Sequence, residues 1–97
     1  MKSDESELIK KLKLGDEKAF RILFDLYRSN VYNTAAGFLT NVNDAEDVTQ
    51  EVFIQVFKSI KHFKENSKLS TWIYRITVTK SLDLLRKKKT KKFPKGC

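Results

Sequence analysis

The stretch Asp44-Ala-Glu-Asp-Val-Thr-Gln-Glu-Val-Phe-Ile-Gln-Val-Phe-Lys-Ser-Ile60 decides how the rest of the chain is read. It opens on acids and contains no Gly or Pro. Val48, Val52, Phe53, Val56 and Ile60 recur at three- and four-residue steps, the period of a helix with one buried face. Asp44 is the expected N-cap. Glu46 and Asp47 then fall in the first turn, where the helix dipole favours negative charge. Asp47, Gln50, Glu51 and Ile54 fall on a second face of mixed acidic, amide and aliphatic character. Such an edge is either solvated or a docking surface, and periodicity alone leaves both open.

Outward from this helix, a chain of 97 residues has room for one small domain. Its composition, 40% hydrophobic and 33% charged with three Gly and one Pro, suits a helical domain better than a sheet, which would need more turn residues. Charge is polarised along the chain. Residues 1–57 hold seven basic and ten acidic groups, a net of −3, whereas residues 58–97 hold thirteen basic and two acidic groups, a net of +11. A polyanion is the natural partner of that back half, nucleic acid first, with an anionic membrane surface as its rival. One cysteine, Cys97, and one histidine, His62, cannot assemble an internal disulfide or a Cys/His metal set. Cysteine usage of this kind fits a reducing cytosol. The polar N-terminus has no apolar signal core, and no apolar run approaches the roughly 20 residues that span a bilayer.

Leu8, Ile9, Leu12 and Leu14 give a short amphipathic helix over about residues 4–14. Gly15 is expected to end it in the left-handed conformation, and Asp16 to cap the next helix. In that second helix Phe20, Leu23, Phe24, Tyr27, Val31, Ala35, Phe38 and Leu39 step by three or four, the spacing of a core face, as far as about Thr40. Asn41-Val-Asn-Asp44 is a tight connection, so the two long helices should be antiparallel neighbours. His62 to Lys68 reads as a loop. Its Phe63, among Lys61, Lys64 and Lys68, is either a core plug or a surface for a nucleobase to stack on. Ser67 can cap the last helix, from about Lys68 to Lys88. There Leu69, Trp72, Ile73 and Ile76 cover one arc, and Tyr74, Val78, Leu82 and Leu85 roughly the opposite one. Arg75, Thr79, Asp83 and Arg86 form a polar ridge between them. The run Arg86-Lys-Lys-Lys-Thr-Lys-Lys92 is a solvated tail or an arm that grips phosphates, with the arm favoured because it prolongs a basic helix. Phe93 to Cys97 is expected to have no structure of its own. The sequence shows no phosphate-binding Gly loop, no nucleophile-plus-base set and no paired carboxylates in an apolar pocket, so no enzyme activity and no cofactor is expected.

The run from the central helix onward resembles region two of bacterial sigma factors, the extracytoplasmic-function group above all. The residues that carry the resemblance are Asp44-Ala-Glu-Asp-Val-Thr-Gln-Glu-Val-Phe, Phe63, Ser70-Thr-Trp-Ile-Tyr-Arg-Ile76 and Asp83-Leu-Leu-Arg86 with its basic run. Gly15-Asp-Glu-Lys-Ala-Phe20 looks like the family's opening helix. The resemblance implies an all-α bundle of about four helices over residues 1–92, two of them long and antiparallel, followed by a basic C-terminal helix. It implies a cytoplasmic DNA-binding transcription initiation factor. Asp47, Gln50, Glu51 and Ile54 would bind core RNA polymerase at the clamp coiled coil of the large subunit. Phe63, Lys64 and Lys68 would wall a pocket for a base flipped from the non-template strand of the minus-ten element. Arg75, Thr79, Asp83 and Arg86 would face that strand, and Lys87 and Lys88 would extend the arm. Trp72 and Tyr74 would support the loop. An anti-sigma factor is a further partner class in this family. Thr79 stands where members often carry Asn, and a hydroxyl offers fewer bonds than an amide, so base preference there is left open. Complete members also carry a helix-turn-helix domain for the minus-thirty-five element, which this sequence is not expected to supply. A general single-strand-binding helical module without a polymerase partner remains the alternative.

Overall fold

The computed structural model describes residues 2–64 and 67–92, with side chains over residues 5–64 and 67–88. The expected tail, residues 93–97, and the side chains of the outer arm from Lys89 onward lie outside this range. Four helices make the fold: α1 (Lys2–Lys13), α2 (Glu17–Phe38), α3 (Val42–Ser59) and α4 (Leu69–Lys92), with a 3-10 turn (Ile60–His62) after α3. The long helices α2, α3 and α4 pack pairwise on one another, and α1 lies across α2 and the 3-10 turn.

The joint between α1 and α2 follows from two residues. Gly15 has φ 84°, a conformation cheap only without a Cβ. Its N–H donates to Leu12 O (3.0 Å) and the Asp16 N–H to Lys11 O (3.0 Å), which satisfies two carbonyls at the end of α1. Asp16 then starts α2, its Oδ1 accepting from the Lys18 and Ala19 N–H groups at 2.9 and 3.3 Å.

The core is the inward stripe of each helix. Ile9 and Leu12 of α1, Leu23, Val31 and Ala35 of α2, and Val48, Val52, Phe53, Val56 and Ile60 after them are all buried. Phe20, Phe24, Tyr27 and Phe38 pack half-buried around that centre. Phe24 meets Phe53 edge-on, with ring centroids 4.9 Å apart. Leu14 departs from the expected stripe. It is 85% exposed, because the chain has already left the helix there.

Two further expectations are corrected, and the packing of α4 is decided. The N-cap of α3 is Asn41, whose Oδ1 accepts from the Asn43 and Asp44 N–H groups at 2.7 and 3.3 Å. Asp44 sits inside the first turn instead. At α4, Lys68 rather than Ser67 holds the cap position, its carbonyl accepting from the Trp72 N–H at 3.1 Å. The Leu69 N–H donates to Glu5 Oε2 of α1 at 3.2 Å. Of the two apolar arcs of α4, the one that begins at Leu69 and Ile73 is the buried one. Leu69 and Ile73 face the core and are followed on the same stripe by Thr77 and Ser81, both fully buried, while Tyr74 and Leu82 are exposed.

Candidate nucleic-acid and protein interfaces

Two surfaces flank α3. On the α2 side, Gln50 shares a cleft with Phe24, Arg28, Ser29, Tyr32, Asn33, Glu46 and Thr49. The Arg28 guanidinium lies over the Phe24 ring, 5.5 Å from its centroid. Farther along, Ile54 and Phe57 are 52% and 50% exposed and line an apolar groove with Phe20 and Phe24, rimmed by Glu17, Arg21 and Asp25. Phe57 and Phe20 meet edge-on at 5.1 Å. On the α4 side, Asp44, Asp47 and Glu51 share a groove with Lys80, Asp83 and Lys87. The expected edge of Asp47, Gln50, Glu51 and Ile54 is thus exposed throughout, but it is split between these two grooves. Phe57 belongs to it and was not singled out from the sequence. The steps Asp47, Gln50, Ile54, Phe57 were the available signal.

On α4, Arg75, Thr79, Asp83 and Arg86 are all exposed and, at steps of four, four and three, form one ridge. Arg86 Nη1 lies 3.5 Å from Asp83 Oδ1. Asp83 also borders the acidic groove, so it joins the ridge to the α3 edge. Lys64, Lys68 and Lys87 are exposed. Lys88 is engaged, its Nζ 2.5 Å from Asp44 Oδ2.

Burial decides between the two readings of Phe63. It is only 4% exposed, and its ring stacks at a 35° tilt on Trp72, centroids 4.8 Å apart. The burial supports the plug alternative: Trp72 lies against the ring, and a side chain only 4% exposed offers a base little surface. Lys64 and Lys68, both after it in the chain, are exposed.

A cleft between α2 and the start of α4, with Val31 and Ile73 in its lining, was not anticipated. Tyr27, Asn30, Asn33, Thr34, Ser70, Thr71 and Tyr74 line its ≈ 430 Å³. These residues come from two helices whose facing was not legible from either helix alone. Burial first, and then the nearby Glu5 carboxylate, raise the Tyr27 pKa above its ordinary value, so its hydroxyl stays a donor. Among the described residues, no group of three His, Cys, Asp or Glu side chains could hold a metal ion, and no helix is long and apolar enough to cross a membrane.

Comparison with known proteins bears on these surfaces directly. The family model for Sigma-70 region 2 matches residues 23–91. The extracytoplasmic-function RNA polymerase sigma factor SigW of Bacillus subtilis is 43% identical over 81 residues, covering 84% of this chain and 43% of the relative. The sigma-E factor of Haemophilus influenzae is 40% identical over 81 residues, covering 80% of this chain and 41% of the relative. The chain therefore spans about two fifths of the length of these relatives. Among solved structures, an engineered region 2 of sigmaE in complex with GTAAAA superposes with a TM-score of 0.82 at 31% identity, over 90% of both chains. With its four-helix architecture and its matched residues together, the chain belongs to the Sigma-70 region 2 family, as a region 2 domain of the extracytoplasmic-function sigma factors.

Proposed function

We propose that residues 1–92 form one module that docks on core RNA polymerase through α3 and captures the non-template strand of the minus-ten element through α4 and the loop before it. The observation that carries this is the exposed strip of Gln50, Ile54 and Phe57, which opens between α2 and α3, while Arg75 and Thr79 stand on α4. An apolar groove rimmed by charge, next to a cleft that carries Glu46 and Gln50, suits a helical, basic protein partner such as the polymerase clamp coiled coil. An anti-sigma factor covering the same groove would block docking.

Strand capture has a physical logic. Unstacking a base costs a few kcal/mol, least where the base is already unpaired. A protein offsets that cost by binding the single strand, with cations on the backbone and a polar or aromatic surface on the bases. Lys64, Lys68, Arg75, Arg86 and Lys87 supply the cations, and Thr79 offers the ridge a base-reading hydroxyl. The solved neighbour bound to GTAAAA supports the same use of this fold. The module works by binding, in the cytoplasm where polymerase acts, and the chemistry of transcription belongs to the polymerase.

Replacing Gln50 and Glu51 together with Ala is expected to abolish retention of the chain by core polymerase in a pull-down, with single-strand binding intact. Undiminished retention would instead favour a general single-strand-binding module.

A further inference from the structure

The hydrogen bonds made by side chains among the described residues fall into two groups. Most are local: caps at Asp16 and Asn41, and back-bonds from Thr49 and Thr77 within their own helices. Besides the Lys88–Asp44 pair between α4 and α3, two reach across the fold from α1 to the loop between α3 and α4. Lys13 Nζ donates to Phe63 O at 2.8 Å, where the loop begins. Glu5 Oε2 accepts from the Leu69 N–H at 3.2 Å, where it ends. The rest of α1 is built to hold this position. Ile9 and Leu12 are buried in the core between the two polar residues, and Gly15 with Asp16 fixes the turn into α2.

We propose that α1 is a strap for the loop that meets the DNA strand, with Lys13 and Glu5 as positioning residues that set its two ends. This rests on the strand-capture role proposed above. The loop's exposed cations, Lys64 and Lys68, lie just inside the two anchor points. Anchoring Phe63 and Leu69 fixes the backbone next to Lys64 and Lys68 when the domain folds, so less freedom is lost there again when DNA binds. Glu5 also supplies an acceptor for the first N–H of α4, a group that the helix itself leaves unsatisfied. The strap touches backbone atoms at the two ends, so it sets those ends without reading bases itself.

Electrostatics and positioning predict opposite signs at Glu5. Removing an acid beside a polyanion site should tighten DNA binding if charge alone matters. If Glu5 positions the loop, Glu5→Ala should weaken it, while Glu5→Gln, which keeps an acceptor oxygen, should not. Lys13 is resolved by salt. A lost phosphate contact flattens the dependence of affinity on salt, whereas a lost positioning bond lowers affinity and leaves the slope alone.

The test uses the 97-residue chain and a fluorescent hexadeoxynucleotide selected from a randomised single-stranded pool, with its scrambled permutation as control. Affinity is read by anisotropy across a salt series, at a temperature where circular dichroism shows each variant folded. Glu5→Ala and Lys13→Met are each expected to weaken the selected hexamer roughly three- to tenfold, the scale of one lost hydrogen bond. The salt slope should stay unchanged, Glu5→Gln and Lys13→Arg should restore binding, and retention by core polymerase should be unaffected. Should Glu5→Ala prove too unstable to measure, the Lys13 pair decides. Tighter or unchanged binding by Glu5→Ala, or a flatter slope in Lys13→Met, overturns the strap while leaving strand capture standing. No preference for the selected hexamer in the wild-type chain overturns strand capture and the strap with it.

Discussion

Helices α3 and α4 lie side by side and line the same core, yet they are held there by different forces. The inward face of α3 is apolar from Ala45 to Ile60, broken only by Thr49, whose hydroxyl donates to Ala45 O at 2.7 Å. The inward face of α4 begins the same way, with Leu69 and Ile73, and then turns to Thr77 and Ser81. Small hydroxyl residues permit close helix approach but bury little apolar area, and beyond them Leu84 and Leu85 pack against the core only partly buried, so hydrophobic anchoring weakens along α4. There charge adds to the contact: Lys88 pairs with Asp44, and Lys80 and Lys87 share a groove with Asp47 and Glu51. Strong packing therefore backs the helix proposed to dock on polymerase. A salt-sensitive attachment holds the half of α4 that is proposed to meet DNA.

The sharpest way to break this contrast is to empty a site on α3. Phe53 is 3% exposed and in edge contact with Phe24. Phe53→Ala should cost about 3–5 kcal/mol in urea unfolding, most of the stability of a domain this small. A loss below about 1 kcal/mol would mean that α3 is not the anchor. The matching change on α4 has the opposite sign. Ser81 is fully buried, and its Oγ has no hydrogen-bond partner among the described residues. Ser81→Ala removes that uncompensated group and should stabilise by about 1–2 kcal/mol, raising Tm by several degrees. A destabilisation would show that the hydroxyl finds a partner in solution.

The same contrast explains what the sequence disclosed and what it hid. The face of α3 was legible because its signal is local and redundant: five large apolar residues at helical spacing, all buried as expected. Asp16 was legible as a cap because it directly follows a Gly that must end a helix. In Asn41-Val-Asn-Asp44 three residues could each cap, and only the backbone at Asn41, φ −97° and ψ 126°, selects among them. The acceptor at the start of α4 was beyond any local rule, because Glu5 lies on α1 and nothing near Ser67 points to it. Thr77 and Ser81 were passed over because hydroxyl residues carry weak burial signals, and their burial follows from what lies across from them. For the candidate interfaces the exposed edges were legible as periodic faces. The cleft of Tyr27, Asn30 and Ser70 was not, since it exists only once α2 and α4 are docked.

The smallest effect in stability carries the most information about the charged half of α4. The Asp44–Lys88 pair is unequal: the Asp44 side chain is 16% exposed and that of Lys88 49%. A pair open to water on one side contributes little, so Asp44→Asn should lower stability by only about 0.2–1 kcal/mol, and less in high salt. Its effect on DNA binding should be larger than its effect on folding. In the free protein a strand phosphate must compete with Asp44 for Lys88. The Asp44→Asn substitution ends that competition, and one negative charge leaves the neighbourhood. Single-strand affinity should rise, and its salt slope should steepen by about 0.7, the increment for one added phosphate contact on a single strand. Replacing Lys87, Lys88 and Lys89 with Ala should flatten the slope and weaken all sequences alike. If Asp44→Asn leaves affinity and slope unchanged while the triple Ala variant lowers both, the arm grips DNA through Lys87 and Lys89. The Asp44–Lys88 pair is then purely a tie between α3 and α4, and the charged half of α4 is fixed in place rather than released to the strand.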